Sequence, residues 1–514
     1  MSATGTLAPP VAGTPAPRRV RRLRAPALGR LVLGVAATIP IAVYLWVALH
    51  RLGYPFELDW MEGGSVELAA RVAAGHSLYA APSLSYVGWT YTPLYYWVAA
   101  AVSHVTGIGF LPLRLVSFLA SGVSMAVLAT VVIRETGERA AGFVAAGLFA
   151  GTFVIAGAWF DTGRVDSLFV ALTLLAIAWG ARARGVRGGV ALGLLSFLAV
   201  FTKQTAVVAL VPALAYLAFT SWRVGIPALI VLALLGLGST LALDSATGGW
   251  YRYYVVSELS RQAWAQGEWV QFWTRDLASH LWPVLALMVS AVALAWRRGA
   301  LRSLRSPAVY YGLAGAGLLG AAWVSRLHTG GYANVLIPAY AAIALGAGLA
   351  CGEYLCAGRE RIGVPVAAAA IVAQVAMLAY SPSAQIPTRA DRAAGSELIA
   401  RLRELRGPLL VLRHPWYATL AGKGSFAQEE AINDVLRSAD PRGARYLHAS
   451  LRRALDADHI RAVVLDGTFD AHLLGPELAR EFRLSPAPVT PSRLYPLTDV
   501  RTAPTLLYVR VRGP

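Results

Sequence analysis

The chain has 514 residues, of which 56% are hydrophobic and only 14% are charged, and its mean hydropathy is +0.53. A soluble protein carries about a quarter charged residues, so this composition excludes the soluble classes and indicates an integral membrane protein. The formal net charge of +18 would also suit a basic nucleic-acid-binding arm. Its placement along the chain favours the membrane instead, and we expect no nucleic-acid partner.

A basic segment opens the chain. Five of its arginines stand just before the first apolar stretch: Arg18, Arg19, Arg21, Arg22 and Arg24. Positive charge beside a span holds that side of the membrane in the cytoplasm, so residues 1–30 are predicted to be a cytoplasmic tail. No small-residue cleavage site follows residues 31–49, which we interpret as an uncleaved anchor rather than a signal peptide.

Apolar stretches of spanning length recur as far as about residue 380. The eleven predicted spans are 31–49, 112–133, 140–158, 165–181, 187–202, 204–221, 224–243, 281–296, 307–324, 332–350 and 362–380. Two further helical stretches, 65–74 and 94–104, are short, and we expect them to lie along the membrane surface. They belong to a large first outer loop, residues 50–111.

The charged loops support this threading through the positive-inside rule. Loops assigned to the inside contain Arg134, Arg139, Arg182, Arg184, Arg187, Arg223, Arg297, Arg298, Arg302, Arg305, Arg359 and Arg361. Loops assigned to the outside contain Asp59, Glu62, Asp161, Asp166, Asp244, Glu258 and Glu268. Counting 94–104 as a span would turn every later basic loop outward, so an odd count is favoured.

The two cysteines, Cys351 and Cys356, stand at the cytoplasmic end of a predicted span. A structural disulfide is not expected on a reducing face. No histidine pair accompanies them at ligand spacing, so they do not predict a metal site.

The composition changes after the last span. Residues 388–514 lose the long apolar runs, and 407–414, 461–467 and 505–511 have the pattern of buried strands. The stretches 424–438 and 443–457 have the pattern of amphipathic helices. The sequence therefore predicts a polytopic α-helical membrane protein with a small C-terminal α/β domain, which the odd count places outside the cytoplasm.

The most informative segment for function is Glu57-Leu58-Asp59-Trp60-Met61-Glu62, directly after the first span. Ionised groups beside hydrocarbon are costly, so carboxylates there suggest chemistry or transport. Asp59 and Glu62 are candidates for a general base at the membrane surface. The alternative is that they serve the N-terminal dipole of the following helix, and this alternative is stronger for Glu62, which is closer to the helix.

Charged groups also mark three other predicted outer ends of spans. Asp161 lies in a tight hairpin with Gly163, where turn chemistry explains it, whereas Asp166 opens an apolar span and is a functional candidate. Lys203 interrupts two apolar stretches, and it either reaches up to the interface or binds a phosphate as a point charge. Arg326 and His328 share that predicted face; a lone outer histidine is more often a solvated loop residue than a metal ligand.

These features together resemble the GT-C membrane glycosyltransferases. The likeness is strongest to family 39, which includes the protein O-mannosyltransferases, and to the lipid A aminoarabinose transferases and the RgtA/B/C/D-like sugar transferases. It covers residues 31–380 and rests on the order and spacing of Asp59, Glu62, Gly75-His76-Ser77-Leu78-Tyr79, Tyr91-Thr92-Pro93-Leu94-Tyr95-Tyr96, Arg114, Arg164-Val165-Asp166 and Thr202-Lys203.

The resemblance implies a role for each matching residue. Asp59 would be the base, with Glu62 beside it, and Asp166 would shape the catalytic site. Lys203 would contact the lipid phosphate, with Arg164 near it. Tyr91 and Tyr95 would contact substrate. Arg326 and His328 are not part of the matching motifs, and they are candidates for phosphate and substrate contact because they share the predicted outer face of Lys203. Aminoarabinose transferases carry a Glu-Lys pair just before the proline that corresponds to Pro93, whereas this chain has Tyr91-Thr92, so their metal site and their substrates do not follow here.

The implied activity is hexosyl or pentosyl transfer, with inversion, from a polyprenyl-phosphate sugar to a glycolipid, polysaccharide or protein of the cell envelope. No cofactor is required by this interpretation, and a divalent cation is left open. The implied location is a bacterial cytoplasmic (inner) membrane, with the site on its outer face.

Two alternatives are a lipid-linked sugar flippase or secondary transporter, and a non-catalytic assembly or polysaccharide-binding protein. Transporters of that kind carry inverted repeats and charges near the midplane, whereas the charges here are predicted at the outer interface.

Overall fold

The structure is a computed structural model. It describes residues 25–511 except 259, 261–262, 300, 357–359, 439, 457–459, 468–473, 491 and 499. The arginines of the predicted cytoplasmic tail, up to Arg24, lie outside the described residues.

Helices make up most of the chain before residue 380. In chain order they are α1 (Ala25–Arg51), α2 (Glu62–Ala73), α3 (Leu94–Thr106), α4 (Phe110–Thr136), α5 (Arg139–Gly151), α6 (Asp166–Gly180), α7 (Gly185–Val200), α8 (Ala206–Thr220), α9 (Trp222–Ala246), α10 (Trp250–Arg252), α11 (Glu268–Gln271), α12 (Ser279–Arg297), α13 (Pro307–Arg326), α14 (Ile337–Leu355) and α15 (Glu360–Met377). Each of the eleven predicted spans coincides with one of these helices, and the two predicted surface helices coincide with α2 and α3.

Length separates these helices into two groups. Six helical stretches in the described part of the chain are long and apolar enough to cross a membrane: Ala27–Arg51, Phe110–Thr136, Trp222–Ala246, Glu268–Arg297, Pro307–Arg326 and Ala333–Leu355. A pair of helices bent by 54°, Ile362–Met377 and Pro382–Glu404, would make a seventh. Helices α5 to α8 are apolar but shorter. A helical, multi-pass membrane protein is therefore confirmed, while the count of eleven crossings stays a prediction.

Small residues let the helices of the bundle approach closely. A Cβ added to Gly147 of α5 would lie 2.2 Å from the carbonyl oxygen of Ala37 in α1, and one added to Gly317 of α13 would lie 2.2 Å from the carbonyl oxygen of Ala209 in α8. In a membrane, such packing replaces the hydrophobic effect as the main source of helix association. Among the six long stretches, Ala333–Leu355 is the most enclosed, with 89% of an 18-residue apolar segment inside it buried.

The C-terminal region combines helices with one sheet. Its helices are α16 (Arg389–Glu404), α17 (Pro415–Leu420), α18 (Glu429–Arg437), α19 (Pro441–Asp456) and α20 (Gly475–Glu481), and its strands are β1 (Leu409–Val411), β2 (Ala462–Leu465), β3 (Phe482–Leu484) and β4 (Leu506–Arg510). The sheet order is β1-β2-β4-β3, with β1 parallel to β2 and the other pairs antiparallel. The predicted strands overlap β1, β2 and β4; β3 had not been predicted.

The first outer loop and the C-terminal region share their cores. Tyr54, Phe56 and Leu58 of the loop pack in one cluster with Leu398 and Leu409. A second cluster joins other apolar side chains of both regions: Trp60, Val66, Trp89, Leu410, Trp416 and Val463. The C-terminal region therefore packs directly on the first outer loop, including its acidic segment, residues 57–62, which is called the acidic loop below.

Candidate active site

The acidic loop is fastened to the bundle by Glu62 and Arg114. Glu62 accepts hydrogen bonds from Nε and Nη2 of Arg114 at 2.8 and 2.7 Å. It also accepts from the backbone N–H groups of Leu58 and Gly163, at 2.9 and 2.8 Å. Arg114 donates further to the carbonyl oxygens of Tyr54 and Phe56. Both side chains are fully buried.

These contacts revise the prediction for Glu62. Each of its carboxylate oxygens accepts two hydrogen bonds, so neither is placed to take a proton from a substrate. The ion pair holds together the loop, α4 and the hairpin that contains Gly163. We therefore assign Glu62 a structural role, the alternative that the sequence left open.

Asp161 fastens the same hairpin from the other side. It forms an ion pair with Arg51 at the end of α1, and both side chains are buried. Just before it, Gly157 and Ala158 both adopt positive φ, 74° and 57°, a conformation that costs a non-glycine residue energy. The structure thus places Asp161 in a buried ion pair with Arg51, and its predicted turn role stays a prediction.

Asp59 contacts the side chain of Arg164. Its Oδ2 lies 3.4 Å from Nη1 of Arg164, and both side chains are buried. The guanidinium is 4.7 Å from the centre of the Trp159 ring and 5.5 Å from that of Trp89, distances at which a ring attracts a cation. The distance between Asp59 and Arg164 exceeds that of a tight ion pair.

Asp166 and Lys203 form the second pair. Nζ of Lys203 lies 2.6 Å from Oδ1 of Asp166, and Nδ2 of Asn334 donates to Oδ2 of Asp166 at 3.0 Å. Lys203 also lies 5.5 Å from the centre of the Tyr91 ring. Arg164 interacts electrostatically with both Asp59 and Asp166. The two ion pairs therefore adjoin, and Asp59 and Lys203 lie at the same end of the bundle.

Two other predicted side chains, Arg326 and His328, have different surroundings. Arg326 donates to Asp276 at 2.8 Å and contacts Glu268 at 3.3 Å. His328 packs against Trp264, and burial lowers the pKa of its imidazole. These described contacts do not bring Arg326 or His328 to the Asp166–Lys203 pair. Asn334, at the start of the span Ala333–Leu355, contacts Asp166 instead.

Tyr95 is also accounted for within the protein. Its buried hydroxyl contacts the carbonyl oxygen of Leu113 and Oγ of Ser117, each at 3.0 Å. This arrangement favours packing rather than the predicted substrate contact. Tyr91, in contrast, stays beside Lys203 in the site.

The structure adds a buried triad that the sequence did not reveal. His414 is hydrogen-bonded to Glu57 through Nδ1 and lies 2.8 Å from Oδ2 of Asp466 through Nε2. Burial lowers the pKa of His414, but Asp466 and Glu57 outweigh it and raise the pKa to about 10. Burial raises the pKa of Glu57 to about 7 against the opposing effect of His414. The triad joins the acidic loop to the C-terminal region.

A signal for part of this triad was present in the strand pattern. His414 and Asp466 follow β1 and β2, which are neighbouring parallel strands, so their side chains meet at the same edge of the sheet. Among the residues that the structure describes, no group of three or more His, Cys, Asp and Glu side chains could hold a metal ion.

Comparisons with known proteins agree with the fold. The family described as dolichyl-phosphate-mannose-protein mannosyltransferase matches residues 90–243, a range that contains Tyr91, Arg164, Asp166 and Lys203. A search of curated proteins gave no match.

Solved structures extend the likeness to most of the chain. ArnT from Cupriavidus metallidurans bound to undecaprenyl phosphate is similar with a TM-score of 0.59 and 13% identity, over 93% of this chain and 99% of that one. Its apo state gives 0.59 and 14%, over 93% and 98%. The Archaeoglobus fulgidus oligosaccharyltransferase tethered with an acceptor peptide gives 0.48 and 13%, over 89% and 73%. The resemblance to GT-C membrane glycosyltransferases is thereby confirmed at the level of the fold.

Proposed function

We propose that this protein is a membrane glycosyltransferase that moves a sugar from a polyprenyl-phosphate donor to an acceptor outside the cytoplasm, with inversion. The observation that carries the proposal is the pair of adjoining buried ion pairs, Asp59–Arg164 and Asp166–Lys203. They lie in a fold shared with ArnT, whose structure holds undecaprenyl phosphate.

In this proposal Asp59 is the general base. It takes the proton of an acceptor hydroxyl, whose oxygen then bonds to the anomeric carbon of the sugar. The bond between that carbon and the phosphate oxygen breaks, and the lipid phosphate leaves with the electron pair. Attack opposite the leaving group inverts the anomeric centre, and a positioned base contributes about 10²–10⁴-fold to such a step.

Lys203 would stabilise the negative charge that develops on the departing phosphate. Its ammonium group has three protons, and Asp166 accepts one of them. The remaining protons can reach a phosphate oxygen while Asp166 and Asn334 hold the amine in place. Asp166 is thus a positioning residue in the proposal, and Arg164 can support the phosphate from the Asp59 side.

The eleven predicted crossings would place this site on the outer face of a bacterial inner membrane. Residues 31–380 would form the catalytic membrane region, and residues 388–514 would cover it. Nucleotide sugars are confined to the cytoplasm, so a transferase on that face requires a lipid-linked donor. The loop contacts of the C-terminal region support a role in acceptor selection.

The test uses the purified full-length chain with a labelled polyprenyl-phosphate sugar and envelope acceptors. Transfer to an acceptor is expected, and Asp59→Asn should lower kcat by at least about 100-fold because the base is lost. Asp244→Asn, which removes an outer carboxylate that pairs with the exposed Arg252, is the matched control and should keep the wild-type rate. Full activity of the Asp59 variant would remove the assigned base. Movement of the labelled lipid across vesicles without transfer would instead support a flippase.

A further inference from the structure

A groove opens at the end of the bundle opposite the acidic loop. It lies between α4, α6 and α7 and has a volume of about 680 Å³. Along α4 it extends from Val123 to Arg134, a separation of eleven positions, or roughly 16 Å of helix. Arg114, at the acidic end of α4, is twenty residues before Arg134, roughly 30 Å along the same helix.

The two ends of this groove differ in chemistry. Apolar side chains line its length, among them Val123, Val127 and Leu175. Three arginines line its far end, namely Arg134, Arg182 and Arg184, next to Trp179. Val123 and Trp179 are 39% and 47% exposed, so the groove faces outward, toward the position of lipid in a membrane. An amphiphile with an acidic head is the ligand that this arrangement fits.

The net positive charge at the arginine end of the groove indicates how many negative charges the head group carries. Within the described residues, Arg182 pairs with Glu135 at 3.1 Å, whereas no ion pair or side-chain hydrogen bond engages Arg134 or Arg184. One carboxylate therefore neutralises one of three guanidinium groups, and two positive charges remain. Basic arginines at the cytoplasmic ends of spans serve topology in general, but that role does not require an apolar groove that ends among them.

We propose that this groove binds an anionic phospholipid with two phosphates, of the diphosphatidylglycerol type, from the leaflet opposite the catalytic site. Basic pockets between transmembrane helices are known to take such head groups. The hydrocarbon chains would lie along Val123 and Val127, and the two phosphates would meet the guanidinium groups. The lipid would stabilise the contacts of α4 with α6 and α7. Asp166 stands at the other end of α6, as its first residue.

The first experiment measures lipid binding by native mass spectrometry of the full-length protein, with diphosphatidylglycerol, phosphatidylglycerol, undecaprenyl phosphate and inorganic phosphate as separate probes. We expect diphosphatidylglycerol to bind at least 10-fold more tightly than each of the others. The double variant R134Q/R184Q should lose most of this preference. R223Q/R297Q removes the same charge from the same predicted side but outside the groove, and it should retain the preference.

A second variant separates the groove from the charges. Ala126 lines the groove, so Ala126→Trp would fill it and leave every arginine in place, and it should weaken diphosphatidylglycerol binding. Leu119→Trp on the same helix, at a lipid-exposed position outside the groove, is its control. The proposal would be overturned if R134Q/R184Q and R223Q/R297Q bound diphosphatidylglycerol equally. It would also be overturned if the wild-type protein bound inorganic phosphate or undecaprenyl phosphate as tightly as diphosphatidylglycerol. Because the readout is binding, its failure is distinct from failure of the transferase proposal.

Discussion

Asp59 and Glu62 are three residues apart, and their surroundings separate their roles at the scale of single residues. Glu62 is saturated by Arg114 and two backbone donors, whereas Asp59 faces Arg164 at 3.4 Å. Sequence patterns place both carboxylates in one outer loop but do not reveal that Arg114, fifty-two residues further on, takes Glu62. The identity of a buried partner depends on tertiary packing, so the sequence pattern does not separate the proposed base, Asp59, from Glu62.

Glu62→Gln should therefore damage folding more than chemistry. The substitution leaves the fully buried Arg114 without its counter-charge, and breaking a buried pair in this way costs about 3–5 kcal/mol. We expect a large fall in Tm with kcat per folded molecule within a few-fold of wild type, measured by thermal melting and by transfer assays on monodisperse protein. The reverse pattern, an unchanged Tm with kcat lowered 100-fold, would restore Glu62 as a catalytic group.

Lys203 and Asp166 can be tested together because they form one pair. Lys203→Gln removes the ammonium group that is hydrogen-bonded to the buried carboxylate of Asp166 and leaves Asn334 as its described side-chain hydrogen-bond donor, so this variant should lose stability. In K203Q/D166N both charges are absent, and most of the stability should return, since a neutral pair avoids an uncompensated buried charge. Tm values of the single and double variants measure this recovery.

The same variants separate pairing from phosphate binding. If Lys203 stabilises the leaving phosphate, D166N should transfer sugar at least 10-fold faster than K203Q/D166N, because only the former keeps the ammonium group. Equal rates in the two variants would show that Lys203 acts only through its pairing with Asp166. The sequence places both residues at predicted outer ends of spans, whereas their pairing with each other is seen only in the structure.

At the scale of elements, the triad of Glu57, His414 and Asp466 couples the acidic loop to the ends of β1 and β2. The sequence predicted both strands but not this contact, because Glu57 and His414 are 357 residues apart. Helix positions followed from local hydropathy, whereas β3 did not, since Phe482–Leu484 is only three residues long. Long-range polar contacts and very short strands leave little local pattern.

The triad should make stability depend on pH. The folded pKa of His414, about 10, lies above its ordinary value of 6.5, so the imidazolium contributes stability that is fully present below about pH 6.5. This contribution is lost as the pH rises through 10, because the folded state binds the extra proton. The pKa of Glu57 is also raised, to about 7 from 4.5. Stability therefore also falls as the pH rises from 4.5 to 7, because the folded state binds the extra proton.

The variant E57Q/D466N provides the comparison. It removes both carboxylates, and burial then keeps His414 neutral across pH 6.5–10. The difference in Tm between wild type and this variant should shrink from pH 6.5 to pH 10. A difference that stays constant, or that grows with pH, would mean that no imidazolium is held between the two acids.

For the whole molecule, the shared cores explain why the C-terminal region and the first outer loop must lie on one side. Phe56 packs with Leu398, and Trp60 packs in one cluster with Leu410. The number of crossings decides whether that side is opposite the arginine-rich loops. Helices α5 to α8 are apolar but short, so their length alone does not show whether each one crosses the membrane. The positive-inside pattern predicts opposite sides, because arginines alternate with carboxylates from loop to loop along the sequence.

Site-directed cysteine labelling tests this topology across the last three helices. Ser303 lies exposed between α12 and α13, and Ser396 lies exposed on α16, so α13, α14 and α15 separate them. In a background without Cys351 and Cys356, a membrane-impermeant maleimide applied to intact cells should label Ser396→Cys at once. Ser303→Cys should be labelled only after permeabilisation, because three crossings place the two sites on opposite faces.

The bend between α15 and the following helix makes this experiment decisive. Ile362–Met377 and Pro382–Glu404 meet at 54°, so they could form either one crossing followed by an outer helix or a re-entrant pair. A re-entrant pair would return the chain to its starting face and give the two cysteines equal accessibility. It would also place the C-terminal region, and with it Asp59, on the same face as the arginines, where a polyprenyl-phosphate donor is no longer required.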